Sequence, residues 1–127
     1  MSGVAYDIDL IIGHHAHVVQ PIEKVNGVWV IYGMGNVLSN LPTDERWPAS
    51  SQDAGVFTIT MHRDATGNIF FDTPVVHPTW VDKQHGWIIR DIAKNLSNNS
   101  KSAVNKRELE LSLGRTTRVL GDFITQN

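Results

Sequence analysis

Cysteine is absent from the 127-residue chain, and so are long apolar runs and any strong excess of one charge. Without cysteine the chain forms neither a disulfide framework nor a thiolate metal site, and its redox compartment stays open. No apolar run approaches the roughly 20 residues that a membrane span needs, and the N-terminus does not resemble a signal peptide. The net charge of −2 argues against nucleic acid as a partner.

The N-terminal part of the chain predicts short strands. Residues 9–12 are apolar and end at Gly13, as expected of a short buried strand in an α/β protein. Residues 18–24 predict a second strand. Asn26-Gly27 is a two-residue hairpin signal, and residues 28–32 after it predict a third strand.

The middle of the chain predicts a loop and then further β structure. Residues 40–53 are polar and contain two prolines, so we expect a loop there. Residues 54–64 and 69–82 are two extended runs that predict a hairpin. Two prolines in the second run, Pro74 and Pro78, are typical of a sheet edge.

The C-terminal part predicts one more strand, a linker and a helix. Residues 86–92 are expected to be extended, residues 95–102 form a polar linker, and residues 103–121 carry an imperfect apolar stripe at helical spacing. Four charged side chains of this helix are expected to face solvent: Glu108, Glu110, Arg115 and Arg118. The whole pattern predicts an α/β chain, or α+β for the chain in isolation, with mostly strands and a C-terminal helix.

Three of the six histidines, His14, His15 and His17, directly follow the first predicted strand. Catalytic groups of α/β folds gather on such loops, and Gly13 allows a turn or a close approach to a ligand. In an extended segment His15 and His17 would point to the same side and could face one metal or two adjacent metals. No carboxylate is well placed nearby, so the alternative of solvent-facing and backbone-bonded histidines stays open.

The sequence Tyr-Gly-Met-Gly-Asn at residues 32–36 also has two interpretations. Gly33 and Gly35 could bring Asn36 into a site as a ligand or as a hydrogen-bond donor to phosphate. Alternatively, the glycines adopt positive φ in a turn that Asn36 caps, which local pattern favours. The remaining histidines, His62, His77 and His85, are expected at the surface or at strand edges.

Residues 9–40 resemble the bacterial CapA-type capsule-synthesis family, the poly-γ-glutamate biosynthesis proteins related to calcineurin-like metallophosphoesterases. The family shows an apolar strand, Gly-His-His-Pro-His, a Gln, a Glu, a Gly-containing hairpin and Ser-Leu-Gly-Asn-Phe. Here the motifs are Gly13-His14-His15-Ala16-His17 and Gly33-Met34-Gly35-Asn36-Val37, with Gln20, Glu23 and Gly27 at the expected places. Ala16, Gly33, Met34 and Val37 depart from the family pattern, whereas no histidine of the motif is lost.

The resemblance implies part of a metallophosphoesterase-like two-sheet sandwich, with residues 1–127 as the C-terminal part of a single domain. It implies His15 and His17 as ligands of a divalent metal (Mn, Zn, Fe or Mg), His14 as a catalytic acid, and Gly35 and Asn36 near the substrate. An alternative metal pair is His14 with His17. The family's Gly-Asp strand end and its Asn-Asn-His motif are absent from this chain, so we expect an incomplete metal site.

Two functions are compatible with these expectations. The first is a fragment of a capsule-biosynthesis protein with a metallophosphatase-like site that is inactive alone, whose substrate is an anionic polymer or a phosphorylated intermediate. The second is a non-enzymatic module that binds polymer or self-associates as a homodimer through exposed strand edges. The resemblance further implies a cell-surface or membrane-associated location for full-length homologues.

Overall fold

The computed structural model describes residues 7–98 and 106–125. They form short strands in small sheets, with a longer helix near the C-terminus, which confirms the expected fold class. The strands are β1 Leu10–Ile12, β2 Ile22–Val25, β3 Val28–Ile31, β4 Asp53–Thr58, β5 Met61–Arg63, β6 Ile69–Phe71, β7 Val75–Asp82 and β8 Ile88–Asp91. The helices are α1 Ile92–Ser97 and α2 Lys106–Leu120.

The first sheet has the order β1-β3-β2, with β1 parallel and β2 antiparallel to β3. The β2–β3 hairpin turns at Asn26 and Gly27, whose φ angles of 49° and 80° are both positive. Positive φ at both central residues is what a type I′ hairpin requires. The sequence signal at Asn26-Gly27 is thereby confirmed.

The second sheet has the order β4-β7-β8 and is antiparallel throughout. The two extended runs at residues 54–64 and 69–82 each divide into two strands, and β5 pairs with β6 beyond the break. The predicted edge position of residues 69–82 is wrong, because β7 is the central strand. Pro78 is tolerated there because the β7–β8 pairing begins only at Thr79, so that at Pro78 the strand has β4 alone as its neighbour.

The helices differ from the predicted pattern at α1. Residues 95–97, expected in the linker, belong to α1, which begins where the Asp91 carboxylate accepts a hydrogen bond from the Lys94 N–H at 3.0 Å. Residues 99–105, which include the rest of the linker after residue 98 and the predicted helix start, lie outside the described residues. The buried side chains of α2 are Leu109, Ser112, Thr116 and Leu120.

Two apolar clusters hold the elements together. Ile22 and Ile31 of the first sheet pack with Val76 of β7 and Leu120 of α2. Trp80 of β7 packs with Ile92 of α1 and Leu109 of α2. None of the helices within residues 7–98 and 106–125 is long and apolar enough to cross a membrane.

The opposite face of the first sheet, called here the outer face, is apolar and open. Cross-strand register places Ile11 beside Val30 and Val25 beside Val28 on this face. Together with Ile8 and Tyr32 these residues line a groove of about 510 Å³. Four of them are substantially exposed: Ile8 at 51%, Ile11 at 42%, Val25 at 38% and Tyr32 at 44%.

Candidate functional site

Two loops meet at one edge of the first sheet because β1 and β3 are parallel and end at the same side. The histidine loop, residues 13–17, follows β1, and the glycine turn, residues 33–36, follows β3. The Gly13 N–H donates to the Ile31 carbonyl oxygen at 2.6 Å. A Cβ at Gly13 would lie 2.6 Å from the Tyr32 carbonyl oxygen, so this approach of the two backbones needs glycine.

The glycine turn is packed between the two sheets. Gly35 has φ +75°, and a Cβ there would collide with the backbone of Asp53 and Ala54. The Gly33 carbonyl accepts from the Gln20 N–H at 3.0 Å, and the Met34 carbonyl accepts from the Gly55 N–H at 3.2 Å. The segment is therefore tightly held, with isolated bridges from Met34 to Val19 and from Gly35 to Ala54, and it delivers Asn36 to the histidine loop. Of its two glycines only Gly35 has the positive φ that the turn interpretation expected of both.

His17 is held by two neighbours. Its Nδ1 lies 3.3 Å from the Asn36 Oδ1, and because that amide oxygen accepts, we assign the proton to Nδ1. The ring of Trp47 meets the ring of His17 edge-on, with centroids 5.7 Å apart. This arrangement leaves Nε2 of His17 as the nitrogen available to a metal or a substrate.

The histidine loop is a turn and not the extended segment that the i, i+2 argument assumed. His15 has φ 98° and His17 has φ 63°, which are values that residues other than glycine seldom adopt. The loop still brings the two rings together, with centroids 5.7 Å apart and planes inclined by 43°. His14 is exposed and does not share in this ring contact.

The two adjacent imidazoles fit a metal ion only in part. With Zn–N bonds of about 2.0–2.1 Å, two ligating rings have centroids roughly 5–6 Å apart, which matches the spacing of His15 and His17. Within the described ranges, however, no group of three or more His, Cys, Asp or Glu side chains is placed to hold a metal. A metal ion generally takes more protein ligands than two, so the described residues do not complete a site.

A buried carboxylate supports the glycine turn from the inside. Asp53, fully buried, accepts from Ser112 Oγ at 2.6 Å and from Arg115 Nε and Nη2 at 2.6 and 2.8 Å. The hydrogen bond to Asp53 raises the pKa of Arg115. The prediction that Arg115 faces solvent is therefore wrong. A sequence signal was present: Ser112 and Arg115 lie one helical turn apart and place polar groups on one helix face.

Both loops lie within the segment that matches a known protein family. Residues 3–41, which contain both, match the family described as bacterial capsule synthesis protein PGA_cap. The chain belongs to this capsule-synthesis family. One similar protein is the PGA biosynthesis protein CapA of Bacillus subtilis (strain 168), which is 33% identical over an alignment that covers 68% of this chain and 23% of that protein. The chain thus spans less than a quarter of the curated relative's length. No solved structure matches the chain.

Proposed function

We propose that this chain is the histidine-bearing C-terminal part of a CapA-type capsule-biosynthesis domain and contributes two ligands to a divalent metal site. His15 and His17 are the metal ligands of this proposal, His14 is the flanking acid, and Gly35 and Asn36 lie next to the substrate. The observation that carries it is the convergence of the His15 and His17 rings at the shared end of two parallel strands. The ligands still needed would come from polypeptide beyond this chain.

The outer face of the first sheet supports the proposal that further polypeptide completes the domain. Parallel strands are normally covered on both faces, yet β1 and β3 present Ile11 and Val28 to an open groove. Exposed apolar surface of this kind marks an interaction site. A further layer of the same domain would cover the groove and could also bring carboxylates to the neighbouring histidine loop.

The proposed reaction is the one that the family resemblance implies. Bound divalent metal would activate water and neutralise a leaving oxygen, as in related phosphoesterases. The substrate of the assembled domain is, on this proposal, an anionic γ-glutamyl polymer or a phosphorylated intermediate, and the assembled protein acts at the cell surface or the membrane. The chain alone, without carboxylate ligands, should bind metal weakly and show no turnover.

The first experiment measures Mn²⁺ and Zn²⁺ binding by calorimetry on three chains: wild type, the double variant His15→Ala/His17→Ala, and the control His62→Ala. The side chain of His62 is 40% exposed, and it lies in β5, away from the histidine loop. We expect weak binding to wild type and to the control, and none to the double variant. Equal binding by all three chains would refute the assignment of the ligands.

The second experiment tests completion of the site. The part of the Bacillus subtilis relative without a counterpart in this chain would be co-expressed with it, and hydrolysis of p-nitrophenyl phosphate would be followed with Mn²⁺ present. We expect turnover from the complex and from neither part alone. A stable complex that binds metal but does not hydrolyse the substrate would contradict the phosphatase reaction. It would not contradict the assignment of His15 and His17 as metal ligands.

A second candidate function is a module that self-associates or binds an anionic polymer without catalysis. The open outer face and the edge of β1 that faces away from β3 favour it, because such edges template pairing with another chain. Sedimentation velocity over a concentration series tests it, with Ile11→Lys as the variant and the exposed Leu111→Lys of α2 as the control. A dimer that only Ile11→Lys dissociates would support the module, and a monomer at all concentrations would exclude the self-associating form.

A further inference from the structure

A second cluster of functional groups lies at the turn between β7 and β8, far along the chain from the histidine loop. Asp82 ends β7, and its side chain is only 2% exposed. Both of its oxygens lie 2.8–2.9 Å from Nδ1 of His85, and Oδ2 also accepts from Nε and Nη2 of Arg90 at 3.2 and 3.0 Å. Burial would raise the pKa of Asp82, but hydrogen bonds from His85 and Arg90 outweigh it and hold the pKa below its usual value.

This carboxylate fixes the orientation of the His85 ring. An ionised carboxylate only accepts, so Nδ1 carries the proton that points to Asp82. In the neutral ring Nε2 keeps its lone pair, and it has no hydrogen-bond partner among residues 7–98 and 106–125. The side chain of His85 is 39% exposed. A ring held at one nitrogen and open at the other is the usual arrangement of a histidine that meets a ligand.

The open side of His85 belongs to a polar cavity of about 330 Å³. That volume lies at the lower end of the range for small-molecule sites. Six of the lining residues bear on the argument: Gln52, Trp80, Asp82, Lys83, His85 and Glu108.

The lining offers an acceptor that lacks a partner among the described residues, Nε2 of His85. Other polar groups are already engaged: Gln52 Nε2 donates to the Val81 carbonyl at 3.1 Å, and Lys83 Nζ donates to the Leu41 carbonyl.

The charges around the cavity largely compensate one another. Arg90 neutralises Asp82, and the remaining fixed charges, Lys83 and Glu108, have opposite signs. No group of three metal-type side chains occurs in the described part of the chain, so these residues do not form a metal site. A neutral ligand whose groups both donate and accept suits such a lining, and the hydroxyl is the group that does both.

We propose that this cavity binds a small, neutral, polyhydroxylated molecule of the monosaccharide or polyol class, with one ligand hydroxyl donating to Nε2 of His85. The carboxylate of Glu108 accepts from a further hydroxyl. Asp82 and Arg90 act as positioning residues, because the oxygens of Asp82 are already bonded to His85 and Arg90 and so fix the ring of His85.

The test is a titration of the ¹⁵N-labelled 127-residue chain, followed by two-dimensional NMR. The probes are D-glucose and glycerol, and acetate and ethanolamine serve as an anionic and a cationic comparison. We expect saturable shifts for a neutral probe at the Trp80 indole N–H and in residues 83–86, with a dissociation constant on the order of millimolar.

Two variants of matched design separate ligand binding from folding. His85→Asn retains an amide donor where Nδ1 meets Asp82 but lacks Nε2, so we expect a folded chain with binding weakened at least about tenfold, or roughly 1.4 kcal/mol. His62→Asn is the control, because His62 pairs with Asp72 at 2.8 Å and is 40% exposed but does not line this cavity. Its binding should equal that of wild type.

Three results would overturn the proposal. The first is no saturable shift with either neutral probe up to about 100 mM, a concentration well above a millimolar dissociation constant. The second is binding of acetate or ethanolamine alone, which would make the site one for ions. The third is equal binding by His85→Asn and wild type. None of these results bears on metal binding at the histidine loop, so this proposal and the proposed function fail independently.

Discussion

Two buried aspartates, Asp53 and Asp82, have similar partners and opposite consequences. Asp53 is surrounded by Ser112 and Arg115 of α2, and all of these contacts point inward. Asp82 also binds an arginine, but its second partner, His85, turns one ring nitrogen towards a cavity. The difference lies in the partner. Ser112 and Arg115 direct their donor groups at the Asp53 carboxylate, so we call this cluster closed. His85 uses only one ring nitrogen on Asp82 and keeps the other for a ligand, so we call that cluster open. The Asp53 cluster therefore serves the fold and the Asp82 cluster can serve a ligand.

The side chains of the histidine loop have fewer hydrogen-bond partners than either aspartate cluster. Its His17 has one hydrogen-bond partner, at 3.3 Å, and two ring neighbours, His15 and Trp47. Its backbone takes strained φ values at two histidines. Such strain persists where surrounding structure enforces it, and it is often found at functional sites.

The largest expected effect comes from breaking the closed cluster. Arg115→Ala leaves the Asp53 carboxylate buried with Ser112 alone, and we expect the free energy of unfolding to fall by about 3–5 kcal/mol. Urea denaturation measures the change. Arg118→Ala, an exposed position on the same helix, should alter stability by no more than about 0.5 kcal/mol. Equal effects of the two variants would show that the cluster is not a closed structural unit.

Asp82→Asn tests the open cluster and should have an intermediate effect. At neutral pH it weakens the hydrogen bonds from His85 and Arg90, at a cost of about 1.5–3 kcal/mol. Because the folded pKa lies below the ordinary value of 3.8, the stabilisation is present above that pH and is lost as pH falls through the folded pKa. Urea midpoints of wild type and variant should therefore converge below about pH 4. Asp72→Asn, an exposed carboxylate, is the control and should cost far less at neutral pH.

Asn36→Ala tests how firmly His17 must be held. Removing the amide that orients its ring should weaken Mn²⁺ or Zn²⁺ binding by the chain about tenfold, with the fold intact. Calorimetry gives the affinity. Asn40→Ala removes an amide that instead contacts Trp87 and should leave it unchanged. An Asn36→Ala chain that binds as well as wild type would mean that the loop places the ring without this contact.

The smallest expected effect is a difference in stability between two variants of His15, which tests whether its backbone is strained. With φ 98° at this position, His15→Gly should be more stable than His15→Ala by about 1 kcal/mol. At His14, whose φ is not positive, the order should reverse because glycine loses more chain entropy on folding. Thermal unfolding of the four variants measures both differences. The same order at both positions would contradict the strain at His15.

Local sequence patterns predicted the parts of this fold that local physics determines. The strands around Gly13, the Asn26-Gly27 hairpin and the final helix follow from periodicity and turn chemistry. The pairing of Asp53 with Arg115 joins residues 62 positions apart, so no local pattern contains it, and Arg115 was assigned to solvent. The short helix α1 was missed because its six residues give too few turns for a stripe to show.

The candidate site could also be predicted only in its local features. The spacing of the histidines indicated two neighbouring imidazoles, but not the turn that brings them together or the contact with Trp47. Whether His14, His15, His17, Gly35 and Asn36 have the proposed roles stays a prediction. The cluster at His85 could not be predicted, because Arg90 binds Asp82 across a hairpin. The register of that hairpin cannot be read from the amino-acid sequence.

The bare flank of β1 has a dynamic consequence. Within residues 7–98 and 106–125, this strand of three residues pairs with β3 alone, and the groove over its outer face leaves little apolar contact to be lost when it detaches. Segments with these properties open at low free energy. Amide protons of β1 should therefore exchange with deuterated water well before those of β7, which pairs on both sides. A molecule that docks along β1 should slow the hydrogen exchange of the Gly13 amide, which lies directly beside the histidines.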